Sequence, residues 1–264
     1  MPKVFLSHSS KDKKIVLNIK ENLDRSLVHA WLDAEQIPGG SVLTNFISSH
    51  ISDTPYFFMF VSNHYLKSNW CTEEFNQAYA YLINKQVTII PILLEDKAAL
   101  NFDTSNSAHT TIKSLLDRIT HVKYDIHDDD KSISGILEAF WKNEDVRFSP
   151  IEVIEVQGVR LQRIHFEVTK KTLASDFIKN WRFDITEFIA DDSTSPKPIK
   201  QHLPVAFYGK APNWLITYLV IPFKNLRSVY VYNNTSNDYI CSYSKGADNI
   251  LGNVLKVATD TNSN

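Results

Sequence analysis

The chain has 264 residues, 43% hydrophobic and 22% charged, with a formal net charge of −2; this is a globular composition with room for two domains or one large one. The charge gives no basic footprint for nucleic acid, and no apolar run reaches the roughly 18 residues that span a bilayer, because the longest candidates, 87–94 and 214–223, are broken by Pro91 and Pro222. The N-terminus enters a strand at once without a signal peptide's apolar core, and Cys71 and Cys241, far apart, supply no disulfide framework, so a reducing, cytoplasmic compartment is expected.

Strand and helix patterns alternate through residues 1–145. Val4-Phe5-Leu6 reads as a short buried strand ending in a polar loop, 7–12. Ile15, Ile19, Leu23 and Leu27 then recur at a helical spacing. Ala30-Trp31-Leu32 forms a second strand, 33–40 a loop containing Pro38-Gly39-Gly40, and Val42, Phe46, Ile47 and Ile51 a further helical face. Residues 56–61 are continuously apolar, as in a strand buried on both faces. A helix over 70–84 follows, then a buried strand over 87–94, a polar loop over 96–109 and a fifth strand over 122–126. Ser132 is placed to cap a last helix with the stripe Ile133, Ile136, Leu137, Phe140 and Trp141, and the acidic run 128–130 reads as a solvated cap.

This alternation implies a parallel sheet with right-handed crossovers and both faces covered. In a flavodoxin-like five-stranded order, strand 1 lies between strands 2 and 3, and ligands bind beyond the carboxyl ends of the strands at that switch point. Loops 7–12, 33–40 and 62–70 converge there with the helix start at Trp70. Residues 150–264 read as a smaller α+β domain. Its expected elements are strands within 151–168, with a bulge or turn where the alternation shifts after Leu161, and a helical face of Ala174, Phe177, Trp181, Ile185 and Phe188. An exposed loop over 191–204, strands over 214–223, 228–232 and 239–243, and a short closing helix through Ile250, Val254 and Val257 complete it.

Two neighbouring acids compete for a functional role, and helical geometry separates them. Phe75, Ala78, Tyr79 and Leu82 define the buried stripe of the helix after Trp70; at about 100° per residue Glu73 points to solvent, whereas Glu74 lies at the stripe's edge in the row of Trp70 and Ala78. Glu74 is the candidate catalytic residue: a carboxylate beside an aromatic ring in a cleft suits chemistry on a cationic leaving group. The plainer reading is an ordinary acid in the first turn of a helix, where it complements the dipole. No His-x-x-x-His, Cys-x-x-Cys or glycine-rich phosphate loop occurs, so neither a metal nor nucleoside-triphosphate chemistry is expected.

Four blocks carry a family resemblance: residues 4–12; Trp31-Leu32-Asp33 with Ile37-Pro38-Gly39-Gly40; Val61-Ser62 with Tyr65; and Ser68-x-Trp70-Cys71-x-x-Glu74. In order and spacing they resemble a Toll/interleukin-1 receptor (TIR) domain of the bacterial immune type over residues 1–143. The resemblance implies one of two behaviours: cleavage of the nicotinamide–ribose bond of NAD, to nicotinamide plus ADP-ribose or a cyclised ADP-ribose signal, or adaptor scaffolding through TIR–TIR contacts. Cleaving members carry a glutamate four residues after the tryptophan, here Glu74. The resemblance also implies antiviral defence, activation by assembly, NAD as substrate with no resident cofactor, and a sensor or oligomerisation role for residues 150–264, whose trigger is unknown. On this reading Trp70 stacks on nicotinamide or caps the cleft, or else simply packs. Ser7, Ser9 and Ser10 bind phosphate or ribose, or else cap the first helix. Lys11 steers a pyrophosphate or, like Asp12, is a surface charge. Asp33 faces the cleft, and Tyr65 packs.

Overall fold

The computed structural model describes residues 3–32, 54–84, 86–169, 188–190, 195, 197–245 and 251–257. The chain divides into two compact units, Pro2–Leu23 with Val28–Asn143, and Glu144–Asn264 with Asp24–Leu27.

The first unit is a five-stranded parallel sheet built from β1 (Lys3–Ser7), β2 (His29–Trp31), β3 (Tyr56–Val61), β4 (Thr88–Leu93) and β5 (Val122–Lys123), in the order β2-β1-β3-β4-β5. This is the flavodoxin-like order expected. All six residues of β3 are buried, as a central strand with both faces covered requires. Across the sheet Phe5 meets Trp31 edge-on at 4.6 Å and stacks on Phe57 at 5.4 Å, which locks β1 between its neighbours. Around the sheet lie α1 (Lys13–Arg25), α2 (Asn63–Leu66), α3 (Asn69–Ile83), α4 (Ser107–Arg118) and α5 (Asp129–Trp141).

Two local expectations are corrected here. The cap of α5 is Asp128, whose side chain accepts the Lys131 N–H, whereas Ser132 lies buried within the helix and bonds the backbone of Asp125. Three consecutive acids at the positive helix end outcompete a serine one turn later. The stretch 96–109 is not all loop: Lys97–Ala99 makes a 3-10 turn, and α4 starts at Ser107, where Asn106 accepts from the N–H groups of Ala108 and His109. The α4 stripe, Ala108, His109, Ile112, Leu115 and Leu116, is helical in period, but a buried histidine in it hides the apolar pattern.

The second unit holds β6 (Val146–Phe148), β7 (Glu152–Val156), β8 (Val159–Val168), β9 (Ile189–Ala190), β10 (Ile199–Lys200), β11 (Val205–Tyr208), α6 (Asn213–Val220), β12 (Ser228–Asn233), β13 (Asp238–Ser244) and β14 (Val254–Lys256). A seven-stranded sheet runs β14-β13-β12-β11-β8-β6, with β7 also on β8; β8, β11 and β12 are mutually parallel neighbours, and β9 pairs β10 separately. Gln157 (φ 52°) and Gly158 (φ 77°) join β7 to β8 in a two-residue turn with both residues left-handed, the hairpin geometry that matches strand twist.

Here the sequence expectations need more correction. The apolar run 214–223 is α6 followed by a 3-10 turn, Ile221–Asn225, not a strand. Leu215 and Leu219, one helical turn apart, are buried, and a crossover helix is what parallel β11 and β12 need between them. The closing helix is instead the edge strand β14, in which Leu255 alone turns inward; Ile250 is outside the described residues. No bulge interrupts β8: its phase shifts because Gln162 is buried beside Leu161, its amide satisfied by Lys200 and the Leu203 carbonyl. The loop expected over 191–204 contains β10, and its Ile199 is fully buried. The helices expected around 42–51 and 174–187 lie outside the described residues.

Gly209 follows β11 where the backbone passes so close to β8 that a Cβ would sit 2.3 Å from the Phe166 carbonyl oxygen. Gly209→Ala is therefore expected to cost the second unit about 1–3 kcal/mol, seen as a lower urea midpoint for its unfolding transition.

Candidate functional site

The site is built where β1 and β3 end. Ser68 caps α3 by accepting the Cys71 N–H, and the helix then sets Trp70 and Glu74 one turn apart, with Cys71, Phe75 and Ala78 buried. Ser7 is the last residue of β1 and is fully buried. Glu74 is 1% exposed. Its Oε2 accepts a short hydrogen bond from the Ser7 hydroxyl, and its Oε1 accepts the Trp70 indole N–H at 2.6 Å. Both oxygens of the buried carboxylate are thus bonded, as burial of such a group demands.

Tyr65, expected only to pack, belongs to this network. Its hydroxyl lies 3.0 Å from Ser7 Oγ and 3.4 Å from the Cys71 carbonyl oxygen. Ser7 has one proton and directs it at Glu74, so in the shorter contact the phenol donates and Ser7 accepts. The arrangement is a directed chain, Tyr65 to Ser7 to Glu74. Burial, and after it the electrostatic influence of Cys71 and Glu74, raises the Tyr65 phenol well above its ordinary value, so it stays a neutral donor.

A second carboxylate stands behind the first. Asp12, read from sequence as a surface charge, is 9% exposed and accepts the Ser62 hydroxyl at 2.6 Å. Ser62 in turn caps α2 by accepting the Tyr65 N–H at 3.0 Å. Loop 7–12 and the start of α2 are therefore tied together on both sides of Tyr65. Nothing in an isolated Asp-x-x-x motif reveals this, because the partner is 50 residues away.

The remaining candidates separate. Ser9 is buried and caps the 3-10 turn Ser10–Asp12 by accepting the Lys11 N–H, while the side chains of Ser10 and Lys11 are exposed. Ser7, assigned to phosphate or ribose, points its hydroxyl at Glu74 instead, because β1 delivers it under α3. Glu73 is exposed and accepts a long contact from the Gln77 amide at 3.4 Å. Asp33 and the loop 38–40 lie outside the described residues. His109 is a further buried polar group: Nδ1 accepts the Asp103 N–H at 3.0 Å, which leaves Nε2–H to donate to the Leu66 carbonyl at 2.6 Å. Among the described residues no group of three or more His, Cys, Asp or Glu side chains is placed to hold a metal ion, and no helix is long and apolar enough to cross a membrane.

A parallel sheet in this order, with a bonded carboxylate gathered beyond the ends of β1 and β3, defines a flavodoxin-like unit with its site at the switch point. Residues 4–130 match the family model for the TIR domain, and this segment of the chain is a TIR domain. No family model matches the second unit. The chain is 31% identical to the 2' cyclic ADP-D-ribose synthase BtTIR of Bacteroides thetaiotaomicron, across 40% of this chain and 41% of that protein. It is 27% identical to the 2' cyclic ADP-D-ribose synthase AbTIR of Acinetobacter baumannii (strain 1295743), across 44% of this chain and 49% of that protein. The chain thus spans less than half the length of either curated relative. Among solved structures it is similar to the TIR domains of the activated Roq1 resistosome, 17% identical with a TM-score of 0.43, covering 53% of this chain and 99% of that one.

Ser7→Ala removes a hydrogen bond to a buried charge and is expected to destabilise the first unit by about 1.5–3 kcal/mol, Tyr65→Phe by about 0.5–1.5 kcal/mol. Because the two hydroxyls act in series, the double variant should lose less than the sum, which urea unfolding of all four proteins checks. The chain also sets a sign for alkaline pH. Burial, then the hydrogen bond to Asp129, pushes Tyr124 up to about 12, and Tyr65 is raised as well. Unfolded phenols release protons first, so the stability these tyrosines contribute is intact below the ordinary value of 10.0 and falls as pH rises above it, that of Tyr124 being lost as pH climbs through about 12. Urea midpoints measured across that interval should fall, and should fall less in Tyr65→Phe.

Proposed function

We propose that the TIR unit is an enzyme that breaks the nicotinamide–ribose bond of NAD, with Glu74 as the catalytic carboxylate. The observation that carries this reading is the pairing of Glu74 with Ser7 and Trp70 at the strand ends, at the position where the cleaving members' glutamate falls. The likeness of this segment to two cyclic ADP-ribose synthases supports the same chemistry.

Nicotinamide in NAD is already cationic, so its departure needs no general acid. The C1′–N bond breaks, its electron pair neutralises the pyridine ring, and positive charge builds on the ribose. A carboxylate beside that carbon stabilises the charge and accepts the ribose hydroxyls, and exclusion of water strengthens the attraction. Water, or a hydroxyl of the ADP-ribose moiety itself, then adds to C1′ and loses a proton, giving ADP-ribose or a cyclic product. In this reading the Ser7 hydroxyl holds Oε2 in place while Trp70 releases Oε1 to the substrate and lays its ring on the nicotinamide. Ser9, Ser10, Lys11 and Asp33 remain candidates for the rest of the dinucleotide. Assembly through TIR–TIR contacts is the proposed activator, antiviral defence the proposed setting, and residues 150–264 the proposed sensor or oligomerisation module.

The depth of Glu74 favours one competing reading. A carboxylate saturated by Ser7 and Trp70 also serves as an internal staple, which suits a non-catalytic TIR adaptor. Incubation of assembled protein with NAD decides between them. Nicotinamide release that falls about 10²-fold or more in Glu74→Gln, and is nearly unchanged in Glu73→Gln, is the expected result. No release by the assembled wild type would establish the adaptor.

A further inference from the structure

The second unit contains a cavity of about 390 Å³ that plays no part in the chemistry above. It lies beyond the carboxyl ends of β11 and β12, parallel neighbours joined by α6. The chain leaves the sheet there to enter α6, so the strand ends and the helix start border the crevice. The volume falls within the range of about 300–1,000 Å³ typical of small-molecule sites.

The lining specifies the chemistry. Ile216 of α6 faces Val231 and Ile240, which are paired across β12 and β13, so the floor is apolar. Around it stand Asn213, Asn233 and Asn234, and among the described residues no charged side chain lines the cavity. The amides are partly committed. Asn233 Oδ1 accepts the Thr235 N–H at 3.0 Å, which leaves its NH₂ as donor; Asn234 donates its NH₂ to the Gly209 carbonyl at 3.3 Å, which leaves its Oδ1 as acceptor. Gly209 reaches that position because it carries no Cβ to meet Phe166. A donor and an acceptor from adjacent residues above an aliphatic floor complement a flat, uncharged ring with an acceptor and a donor on one edge. Asparagine reads adenine through such an edge. An anion finds no cation among the lining residues. The one aromatic side chain among the described lining residues, Tyr232, has its ring against Tyr208 at 4.5 Å and Tyr239 at 5.1 Å.

We propose that this cavity binds a purine nucleoside through its base, with the ring against Ile216, Val231 and Ile240 and its polar edge on Asn233 and Asn234. The proposal stands apart from the NAD-cleavage reading, since all of these residues belong to the second unit.

Calorimetric titration of the full chain with adenosine, ribose and inorganic phosphate tests it. Saturable one-site binding of adenosine alone is expected, at least tenfold weaker in Ile216→Trp, which fills the floor, and several-fold weaker in Asn234→Ala. Asn234 is exposed, so its variant folds even if the tryptophan variant does not, and thermal unfolding without ligand reports which is the case. Absence of saturable adenosine binding overturns the proposal. Adenosine binding equally tight in Asn234→Ala and Ile216→Trp places the ligand elsewhere, and ribose or phosphate binding as tightly as adenosine removes the base from the interaction; either result overturns it. Nicotinamide release in the same variants is read separately, so loss of one function leaves the other measurable.

Discussion

A carboxylate taken almost wholly out of water, as Glu74 is, persists only when its lone pairs are answered, because the desolvation of an unpaired ion costs several kcal/mol. Ser7 and Trp70 supply those answers from two different elements, the end of β1 and the first turn of α3. The hydrogen bonds fix the position of α3 relative to the sheet edge as much as they fix the carboxylate. They also explain why the fully buried Ser7, with no apolar face to contribute, occupies the end of a strand whose other buried residues are hydrophobic.

The framework around this pair is a set of short polar couplings that tie successive loops. Asp12 reaches Ser62, Ser62 caps the helix bearing Tyr65, and Tyr65 returns to Ser7. The first and last of these links join the end of β1 and its loop to the segment after β3, the two strand ends that flank the switch point. A rim assembled in this way is held by hydrogen bonds of defined direction, which fix the orientation of the Glu74 carboxylate. Further along the same edge, Asn63 bonds Glu95 and receives the N–H of Asn101, and His109 fastens α4 to the end of α2.

The second unit solves a different problem with similar means. Its parallel strands β11 and β12 need a crossover, supplied by α6, while β7 with β8 and β12 with β13 pair antiparallel. Close approach at Gly209 and the satisfied burial of Gln162 allow β11 to lie tightly against β8. The polar turn after β12 then closes one side of a cavity whose floor is the sheet itself.

Local pattern was sufficient for much of the first unit. Continuous apolar runs marked β3 and β4, and the 100° step of a helix put Glu73 in solvent and Glu74 at the edge of the buried stripe, where the fold buries it fully. The motif blocks around Trp70 and Glu74 are also local, which is why the TIR segment is legible in the chain itself. Pattern failed where periodicity is ambiguous: an apolar run such as 214–223 is equally a strand or a buried helix, and only the need to connect two parallel strands decided for α6. It failed again where hydrogen bonds span the sequence. Ser7 and Glu74 are 67 residues apart, and Ser7 and Tyr65 are 58 apart. The residue types at these positions are set by the chain, but which hydroxyl faces which oxygen follows from strand register and helix placement, quantities that exist only once the sheet has formed.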